Sequence, residues 1–281
     1  MNVKVYEVGP RDGLQSLPHT VPIEHRQELI KRLRVAGLSD IEEVSFVNPR
    51  VLPQMGDAEV VFSGQGAALV LNKRGFERAK AAGVEKYNIV LSPCEFFSLN
   101  NMGRRYDEMV MMYRTFMGEI DPKNVRVYLS MAFGSPESGV FSEKNLRICV
   151  RDAKMFGKTV VFADTVGAGT PYEVNMMAQL AHDNNMRGAF HFHHRGEESK
   201  PLMLVRTALL AGIREFDSSV GGLGGCPFAK GSGANLSTGT LVRHLHAWGF
   251  KTGVDIGLLR AAEDLAFTIK NPQPPLTEAH C

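Results

Sequence analysis

Three short stretches that lie far apart in the chain carry the residue types of a divalent-metal site. The first, Glu7–Gln15, contains Arg11 next to Asp12, and the second is Phe190-His-Phe-His193. The third is a glycine-rich stretch around Cys226. Carboxylates and imidazoles bind divalent ions, and a thiol can donate a proton to a carbanion. These residue types suit cleavage of a carbon–carbon bond, because that reaction must stabilise an enolate and then protonate it.

His191 and His193 are two residues apart in a β-rich run, so their side chains are expected to point to the same face of one strand. Phe190 and Phe192 then point to the opposite face, toward covering helices. Two imidazoles that face a barrel interior are costly to bury unless they bind a metal or pair with acids. The pattern favours metal ligands; the alternative is a pair of hydrogen-bonded core histidines.

Asp12 can supply the oxygen ligand that the two histidines lack. A lone Arg11-Asp12 pair is more often a salt bridge than a site, but its place after the first predicted strand favours a site. Two histidines and one carboxylate leave coordination positions open for a substrate. Asn235 could add a neutral oxygen, directly or through water. Ligand type alone does not distinguish magnesium, manganese, iron(II), cobalt and zinc.

The stretch Gly221–Cys226 combines four glycines with one thiol. It lacks the spacing and the strand–helix context of a dinucleotide-binding loop. A thiol with an ordinary pKa of about 8.5 is mostly protonated at neutral pH and can act as an acid. We expect a lid that carries Cys226 as the proton donor; the alternative is an inert cysteine in a packed loop.

Short β-rich runs alternate with longer helical patterns eight times along the chain. The predicted strands are Val3–Val8, Ile41–Val47, Ala67–Leu71, Tyr87–Leu91, Val125–Met131, Thr159–Ala163, Gly188–His193 and Glu215–Val220. Strands separated by helices of this length must run parallel, because a parallel neighbour needs a crossover connection. Eight repeats predict an α/β fold, a (β/α)8 TIM barrel, with an open doubly wound sheet as the alternative.

Polar residues gather where these strands end, which is the catalytic face of such a barrel. Glu42 and Ser45 lie in the second strand, and Asp164 follows the sixth. Two long irregular stretches, Ser92–Arg104 and Ala132–Ser142, are candidate lids. The main helical patterns are Pro22–Ala36, Arg74–Ala82, Glu143–Phe156, Pro171–Asn184 and Lys200–Ala211, and Asp255–Ile269 is an extra C-terminal helix. We therefore expect one barrel domain over residues 1–270 and a proline-rich tail over residues 271–281.

Composition indicates a soluble globular protein, with 44% hydrophobic and 22% charged residues. The formal net charge of +2 disfavours nucleic acid as a partner. The chain has no leader-like start and no apolar run of about twenty residues, which disfavours secretion and membrane spanning. A reduced, cytoplasmic compartment suits its four scattered cysteines, Cys94, Cys149, Cys226 and Cys281.

Five motifs together resemble the 3-hydroxy-3-methylglutaryl-CoA lyases, a family of TIM-barrel metallolyases. The likeness extends from about residue 3 to about residue 270. The motifs are Glu7-Val-Gly-Pro-Arg-Asp-Gly-Leu-Gln15, Ile41-Glu-Glu-Val-Ser-Phe-Val47, Pro53-Gln-Met-Gly-Asp57, Asp164-Thr-Val-Gly-Ala-Gly-Thr-Pro171 and Ser218-Ser-Val-Gly-Gly-Leu-Gly-Gly-Cys-Pro-Phe228.

The resemblance implies Mg²⁺ or Mn²⁺ as cofactor and a retro-Claisen cleavage of a tertiary 3-hydroxyacyl-CoA, a reaction of leucine degradation. The products are acetyl-CoA and a keto acid. Arg11 is implied to stabilise the enolate oxygen and Cys226 to act as the acid on a mobile loop, while either Asp12 or His191 is the base. The implied metal ligands are Asp12, His191, His193 and Asn235, and substrate contacts are expected from Arg11, Glu42, Ser45, Asp164, Gly224 and Gly225.

Three departures from the family pattern leave the acyl group open. His194 follows His193 where the family commonly has an aspartate, and Gly239-Thr240 stands where an acidic pair is expected. The lysine expected shortly after Gln15 is missing. Changes around metal ligands can alter affinity or activity by tenfold to a hundredfold. Metal binding is expected to survive them, and an altered acyl group becomes a reasonable expectation.

Two related activities and one silent alternative compete with the lyase. A Claisen synthase resembling isopropylmalate synthase is disfavoured because the chain ends soon after the barrel. An aldolase for 4-hydroxy-2-oxo acids is disfavoured because Cys226 and its glycine loop belong to the lyase pattern. His194, Gly239 and Thr240 motivate a catalytically silent barrel that binds metal or acyl-CoA, but the retained Arg11 opposes it. By analogy with related barrel enzymes, we expect a homodimer.

Overall fold

A computed structural model describes residues 1–134, 142–224 and 233–272 and shows a ring of eight parallel strands. Neighbouring strands pair in the order β1-β8-β7-β6-β5-β4-β3-β2, and a single parallel bridge from Glu7 to Ile41 links β1 to β2. The barrel prediction is confirmed. The strands are β1 Lys4–Glu7, β2 Glu42–Ser45, β3 Ala67–Leu69, β4 Lys86–Leu91, β5 Val125–Leu129, β6 Thr159–Asp164, β7 Arg187–His194 and β8 Glu215–Ser218.

Helices cover the outside of this ring, as crossover connections between parallel strands require. They are α1 Ile23–Val35, α2 Ala58–Val61, α3 Lys73–Ala81, α4 Glu95–Met102, α5 Tyr106–Arg114, α6 Glu143–Ala153, α7 Pro171–Asp183, α8 Ser199–Leu210, α9 Thr238–Ala247 and α10 Ile256–Lys270. The extra helix α10 was predicted to within one residue at each end and packs against α1. Within the described ranges, no helix is long and apolar enough to span a membrane.

Two elements differ from the predicted organisation. The stretch Ser92–Arg104 is not irregular but contains α4, which begins after Cys94 and ends at Gly103 in a left-handed conformation. Its run of Ser and Asn residues weakens the apolar periodicity, which is why the sequence pattern missed it. A short ninth strand, β9 (Ala234–Asn235), pairs antiparallel with β7, so that Asn235 lies opposite His193. The second candidate lid, Ala132–Ser142, falls largely outside the described residues.

The core has two layers of different character. Between strands and helices the packing is apolar, and Phe190 and Phe192 stack there with ring centroids 5.2 Å apart. The barrel interior is largely polar: the Arg126 guanidinium lies 3.5 Å over the Tyr6 ring and donates to Asp217 at 2.7 Å. This buried polar layer forms the floor under the catalytic face.

Candidate active site and metal centre

The structure brings Asp12, His191 and His193 together at the carboxyl ends of the strands. Their potential ligand atoms all lie within 4.8 Å of one another. Asp12 sits in a wide helical turn, Gly9–Gly13, whose amides bond to the Val8 carbonyl and which directly follows β1. Such turns frequently occur at functional sites. The predicted convergence of a carboxylate and two imidazoles is therefore present.

Each imidazole is oriented by a partner on its Nδ1 atom. His191 Nδ1 donates to Asp217 Oδ2 at 3.2 Å, and His193 Nδ1 donates to the Asp164 backbone carbonyl at 3.2 Å. The Asp217 carboxylate and the Asp164 carbonyl can only accept, so in each neutral ring the proton lies on Nδ1 and Nε2 keeps a free lone pair. His193 Nε2 is buried and without a hydrogen-bond partner among the described residues. An unpartnered buried nitrogen beside a carboxylate fits a metal ligand.

The protonation states at this cluster also fit a cation. Burial and the neighbouring His191 lower the pKa of His193 to about 3, so its ring is neutral. Burial opposes ionisation of Asp12, but Arg11 and His191 outweigh it and lower the pKa of this carboxyl. Burial likewise opposes a charge on His191, yet Asp217 raises its pKa and so its basicity. Metal ligands must be deprotonated, and a carboxylate with a neutral imidazole meets that condition.

Arg11 is held in the same pocket by two carboxylates. Its Nε donates to Glu42 Oε2 at 2.6 Å, its Nη2 also pairs with Glu42, and its Nη1 donates to Asp12 Oδ1 at 2.8 Å. Burial disfavours the charge, but Glu42 and Asp12 raise the pKa of the guanidinium. Arg11 is thus a permanent cation, only 6% exposed, beside the metal ligands.

Asn235 reaches the cluster from β9. Its Nδ2 donates to Asp12 Oδ2 at 2.8 Å and to the Leu223 carbonyl at 2.9 Å. Its Oδ1 is buried and has no hydrogen-bond partner in the described part of the chain. The amide therefore offers a free oxygen next to Asp12, which agrees with its predicted role as a neutral ligand.

Gly224 allows the glycine loop to approach this amide. Its φ is +108°, and a Cβ atom there would lie 2.4 Å from Asn235 Nδ2. No side chain fits that space. Both the positive φ and the close contact with Asn235 therefore require glycine at this position. The predicted Gly225 and Cys226 lie outside the described residues, and the role of Cys226 stays a prediction.

The other predicted contacts differ in their placement. Glu42 is fully buried behind Arg11. Asp164 accepts the Ala168 and Gly169 amides at 2.7 and 2.9 Å, and burial raises the pKa of its carboxyl to about 6. Ser45 is fully buried, and its hydroxyl has no partner among the described residues. None of these three side chains lines the cavity over the cluster.

That cavity has a volume of about 180 Å³ and two contrasting sides. One side carries the cluster of Asp12, His191 and His193, together with Arg11 and with polar side chains from β5 and the following loops. The opposite side is apolar and comes from the ends of β2, β3 and β4 and from α4. Its apolar lining includes Val47, Leu52, Leu69, Leu71, Val90 and Met102. The arrangement can hold a charged acyl end against the cluster and cover it with aliphatic surface.

Several functional side chains were missed by sequence reasoning. Tyr128 lines the cavity and donates to Asp217 Oδ2 at 2.6 Å, while Arg126 donates to Oδ1 of the same carboxylate. The sequence signal was Arg126 and Tyr128 two apart in an otherwise apolar strand, which places both inside the barrel. Glu7 is also buried and accepts from the Gly9 and Val220 amides and from Thr238 Oγ1. It ties β1 to the loops that carry Gly224 and Asn235.

Carboxylates from other parts of the chain lie close to two of the positions where the family pattern has an acid. Glu198 Oε1 lies 3.9 Å from His194 Nε2 and accepts the Ser237 amide at 2.6 Å. At Gly239, a Cβ atom would lie 1.9 Å from Glu263 Oε1, so this carboxylate occupies the space of a side chain there. Carboxylates from other positions thus lie beside two of the three departures.

The fold is a TIM barrel, and its site combines two histidines and one carboxylate beside a buried arginine. The family model described as HMGL-like matches residues 2–266, so the chain belongs to that family. It is 36% identical to a hydroxymethylglutaryl-CoA lyase of Pseudomonas mevalonii over 90% of this chain and 88% of that protein. It is 32% identical to an (R)-citramalyl-CoA lyase of Chloroflexus aurantiacus over 98% and 93% of the two chains.

A solved structure gives the same relationship. The HMG-CoA lyase of Acinetobacter baumannii, in complex with coenzyme A and 3-methylmalate, aligns with a TM-score of 0.88 at 29% identity. The alignment covers all of this chain and 97% of that one. The relatives are lyases, which agrees with the enzyme class expected from the motifs.

Proposed function

We propose that this protein is a divalent-metal-dependent lyase that cleaves 3-hydroxy-3-methylglutaryl-CoA, or a related tertiary 3-hydroxyacyl-CoA, to acetyl-CoA and acetoacetate or another keto acid. The observation that carries this proposal is the cluster of Asp12, His191 and His193, within 4.8 Å, beside a buried Arg11. The family match over residues 2–266 supports the reaction class.

The chain's own residues supply most of the chemistry. His191, oriented by Asp217, is placed to accept the proton of the substrate's 3-hydroxyl. The bond between C2 and C3 then breaks, the hydroxyl oxygen becomes the keto oxygen, and the electron pair moves into the thioester enolate. Arg11 stabilises the charge that develops on the enolate oxygen, because a buried fixed cation acts most strongly in such a site.

The free Nε2 of His193, the Asp12 carboxylate and the Asn235 oxygen suit Mg²⁺ or Mn²⁺. Such an ion, held by these residues, would polarise the substrate's hydroxyl and carboxylate oxygens and lower the pKa of the hydroxyl. Asp12 is a poor base, since its pKa lies below the usual range. This favours His191 as the base.

Cys226 is proposed as the acid that protonates C2 of the enolate to give acetyl-CoA. The pairing of this thiol with a glycine loop supports that role. We expect Cys226→Ala to lose turnover while it keeps metal binding, whereas a silent binding barrel would show no change in either. A single barrel domain, a homodimer and a cytoplasmic location stay predictions.

Product detection tests the proposed activity. Purified protein is incubated with a thiol reductant, Mn²⁺ or Mg²⁺, and either 3-hydroxy-3-methylglutaryl-CoA or citramalyl-CoA, with a chelator control. Metal-dependent release of acetyl-CoA with acetoacetate identifies the first substrate, and release of acetyl-CoA with pyruvate identifies the second. Folded, metal-binding protein that cleaves neither compound, nor other tertiary 3-hydroxyacyl-CoA esters, would refute the proposal in favour of a silent barrel.

A further inference from the structure

Basic residues surround the amino-terminal ends of the strands, on the barrel face opposite the metal cluster. Lys4, Lys86 and Arg187 are the first residues of β1, β4 and β7, and Arg126 is the second residue of β5. Together with Lys123 they line a small cavity of about 90 Å³, which we call the inner cavity. It shares no lining residue with the cavity over the metal cluster, and catalytic groups of such barrels lie at the other strand ends. The inner cavity is therefore separate from the site described above.

The positive charge of the inner cavity is only partly compensated. Asp40 is the one acid among the described residues that line it. Three of the five cations have acidic partners at 2.7–3.1 Å: the pairs are Lys4 with Asp40, Lys123 with Asp121, and Arg126 with Glu215 and with Asp217. Lys86 and Arg187 are exposed, and neither forms an ion pair with any described residue. These two cations leave the inner cavity with a surplus of positive charge.

Arg126 adds a buried donor that lacks a partner. Its side chain is only 8% exposed, and its Nε is buried and has no hydrogen-bond partner in the described part of the chain. Its Nη1 donates to the Tyr128 hydroxyl at 2.8 Å and its Nη2 to Asp217 at 2.7 Å, which fixes the plane of the guanidinium. Buried N–H groups in folded proteins nearly always bond to protein, water or an ion. A small anion in the inner cavity would supply the acceptor that Nε lacks.

A larger cavity of about 500 Å³ adjoins the inner cavity, since Lys4 and Arg187 line both. We call it the outer cavity. Its apolar lining comes from α7, α8 and the segments that follow them: Ala178, Ala181, Met186, Ala211 and Ile213. Sites for small molecules usually have volumes of about 300–1,000 Å³. The inner cavity is thus large enough only for a small anionic group, and the outer cavity can hold an organic body attached to that group.

We propose that the two cavities form one binding site, the amino-face site, for a small phosphorylated molecule with a compact apolar body. The phosphate lies in the inner cavity against Lys86, Arg126 and Arg187, and the body lies in the outer cavity between α7 and α8. These three cations come from three different strands, and the three terminal oxygens of a phosphate can accept from several directions, whereas a carboxylate has only two oxygens. The site is independent of the proposed lyase activity.

Calorimetry with phenyl phosphate, in a phosphate-free buffer, tests the amino-face site without requiring turnover. The wild type is compared with Lys86→Ala/Arg187→Ala. The matched control is Lys144→Ala/Arg260→Ala, which removes the same charge at exposed positions of α6 and α10 that line neither cavity. We expect the wild type to bind with a Kd of about 1 mM or tighter. The cavity variant should bind about tenfold more weakly or worse, and the control should change the affinity by about twofold at most.

Two further comparisons test the two halves of the ligand. Ala211→Phe narrows the outer cavity at an exposed position, so it should weaken binding of phenyl phosphate and leave binding of inorganic phosphate unchanged. Benzoate carries the same ring on a carboxylate and should bind more weakly than phenyl phosphate. Benzoate that binds as tightly would overturn the phosphate assignment, and unchanged phenyl phosphate affinity in Ala211→Phe would overturn the role of the outer cavity.

The site as a whole would be overturned by a wild type that does not bind phenyl phosphate. Equal affinity in the wild type and Lys86→Ala/Arg187→Ala, or an equal loss in the control variant, would also overturn it, since binding would then lie elsewhere or depend only on net charge. A protein that binds phenyl phosphate through Lys86 and Arg187 but cleaves no thioester would refute the lyase activity and leave the amino-face site in place.

Discussion

Asp217 controls the residue that we propose as the base. It accepts hydrogen bonds from Arg126, Tyr128 and His191. Burial opposes its ionisation, but Arg126 and His191 outweigh burial and lower the pKa of this carboxyl to about 2. Its carboxylate fixes the tautomer of His191 and directs Nε2 toward the pocket. We expect Asp217→Asn to lower turnover or Mn²⁺ affinity by about tenfold to a hundredfold, measured by steady-state kinetics and metal titration.

The matched control for this change is Asp183→Asn, at an exposed aspartate at the end of α7. It should leave both quantities unchanged. Circular dichroism checks that Asp217→Asn is folded. A folded Asp217→Asn protein with wild-type turnover and metal affinity would show that the position of His191 does not depend on Asp217.

Glu7 makes stability depend on pH. Burial raises the pKa of its carboxyl from 4.5 to about 7. Between these values the unfolded chain has lost the proton while the folded protein retains it, so the free energy of unfolding falls as the pH rises. We expect Glu7→Gln to remove this fall, so that its stability relative to the wild type rises by about 3 kcal/mol between pH 4.5 and pH 7.5.

Urea unfolding of both proteins at several pH values measures this difference. Glu24→Gln, at an exposed site in the first turn of α1, is the control and should show no such trend. A difference between Glu7→Gln and wild type that stays constant with pH would mean that Glu7 titrates normally.

At the residue scale, the sequence predicted the candidate metal ligands better than it predicted the residues that orient them. Asp12, His191 and His193 were found because metal ligands cluster at strand ends, a rule that needs no coordinates. Asp217 and Tyr128 were missed, since an acid or a tyrosine in a strand looks ordinary until its partners are known. Ser45 was expected at the substrate, yet it lies behind the cavity lining. The pattern of a β-strand predicts which face of the sheet a side chain lies on, but not whether that side chain reaches the cavity.

At the scale of elements, the glycine loop and β9 depend on each other. A Cβ atom at Gly224 would strike Asn235 Nδ2, and its φ of +108° strains any other residue. Gly224→Ala should therefore displace Asn235 from Asp12 and lower turnover at least tenfold, with the global fold retained. Turnover and the thermal midpoint of the variant give the two readouts.

Gly212→Ala separates backbone strain from the steric contact. Gly212 also has a positive φ, +90°, but a Cβ atom there would meet no atom of the described residues within 4 Å. It should lose about 1 kcal/mol of stability and no activity. Equal turnover in Gly224→Ala and wild type would show that the approach of the loop to Asn235 is unimportant.

The strand positions followed from the sequence, because buried parallel strands read as apolar runs between helical patterns. Their ends were less certain: the eighth strand was expected to reach Val220 but ends at Ser218, where the chain turns toward Gly224. Strand β9 could not be predicted. Its two residues are too few to show a hydrophobic period, and their pairing with β7 is set by the tertiary fold.

At the scale of the whole molecule, the metal should couple to folding. An ion that binds only the folded state stabilises it by about 2.7 kcal/mol at a hundredfold excess over its Kd. We therefore expect Mn²⁺ to raise the thermal midpoint of the wild type, measured by calorimetry after removal of metal with a chelator. The double variant His191→Ala/His193→Ala should show no such rise. A rise of the same size in both proteins would place the ion elsewhere.

The barrel as a whole was predictable because eight repeats with crossover helices leave few closed arrangements. Its polar interior was not, since Tyr6, Asn88, Arg126 and Asp217 come from four different strands and meet only when the ring closes.

The most direct test is turnover of the tertiary hydroxyacyl-CoA as Mn²⁺ is added back to chelator-treated protein. We expect the wild type to be inactive without the ion and to regain full activity with it. His193→Asn, which lacks the free Nε2 ligand, should need at least tenfold more Mn²⁺ or stay inactive. Wild-type turnover that is indifferent to the ion, or a His193→Asn protein with an unchanged Mn²⁺ requirement, would contradict a metal centre at Asp12, His193 and Asn235.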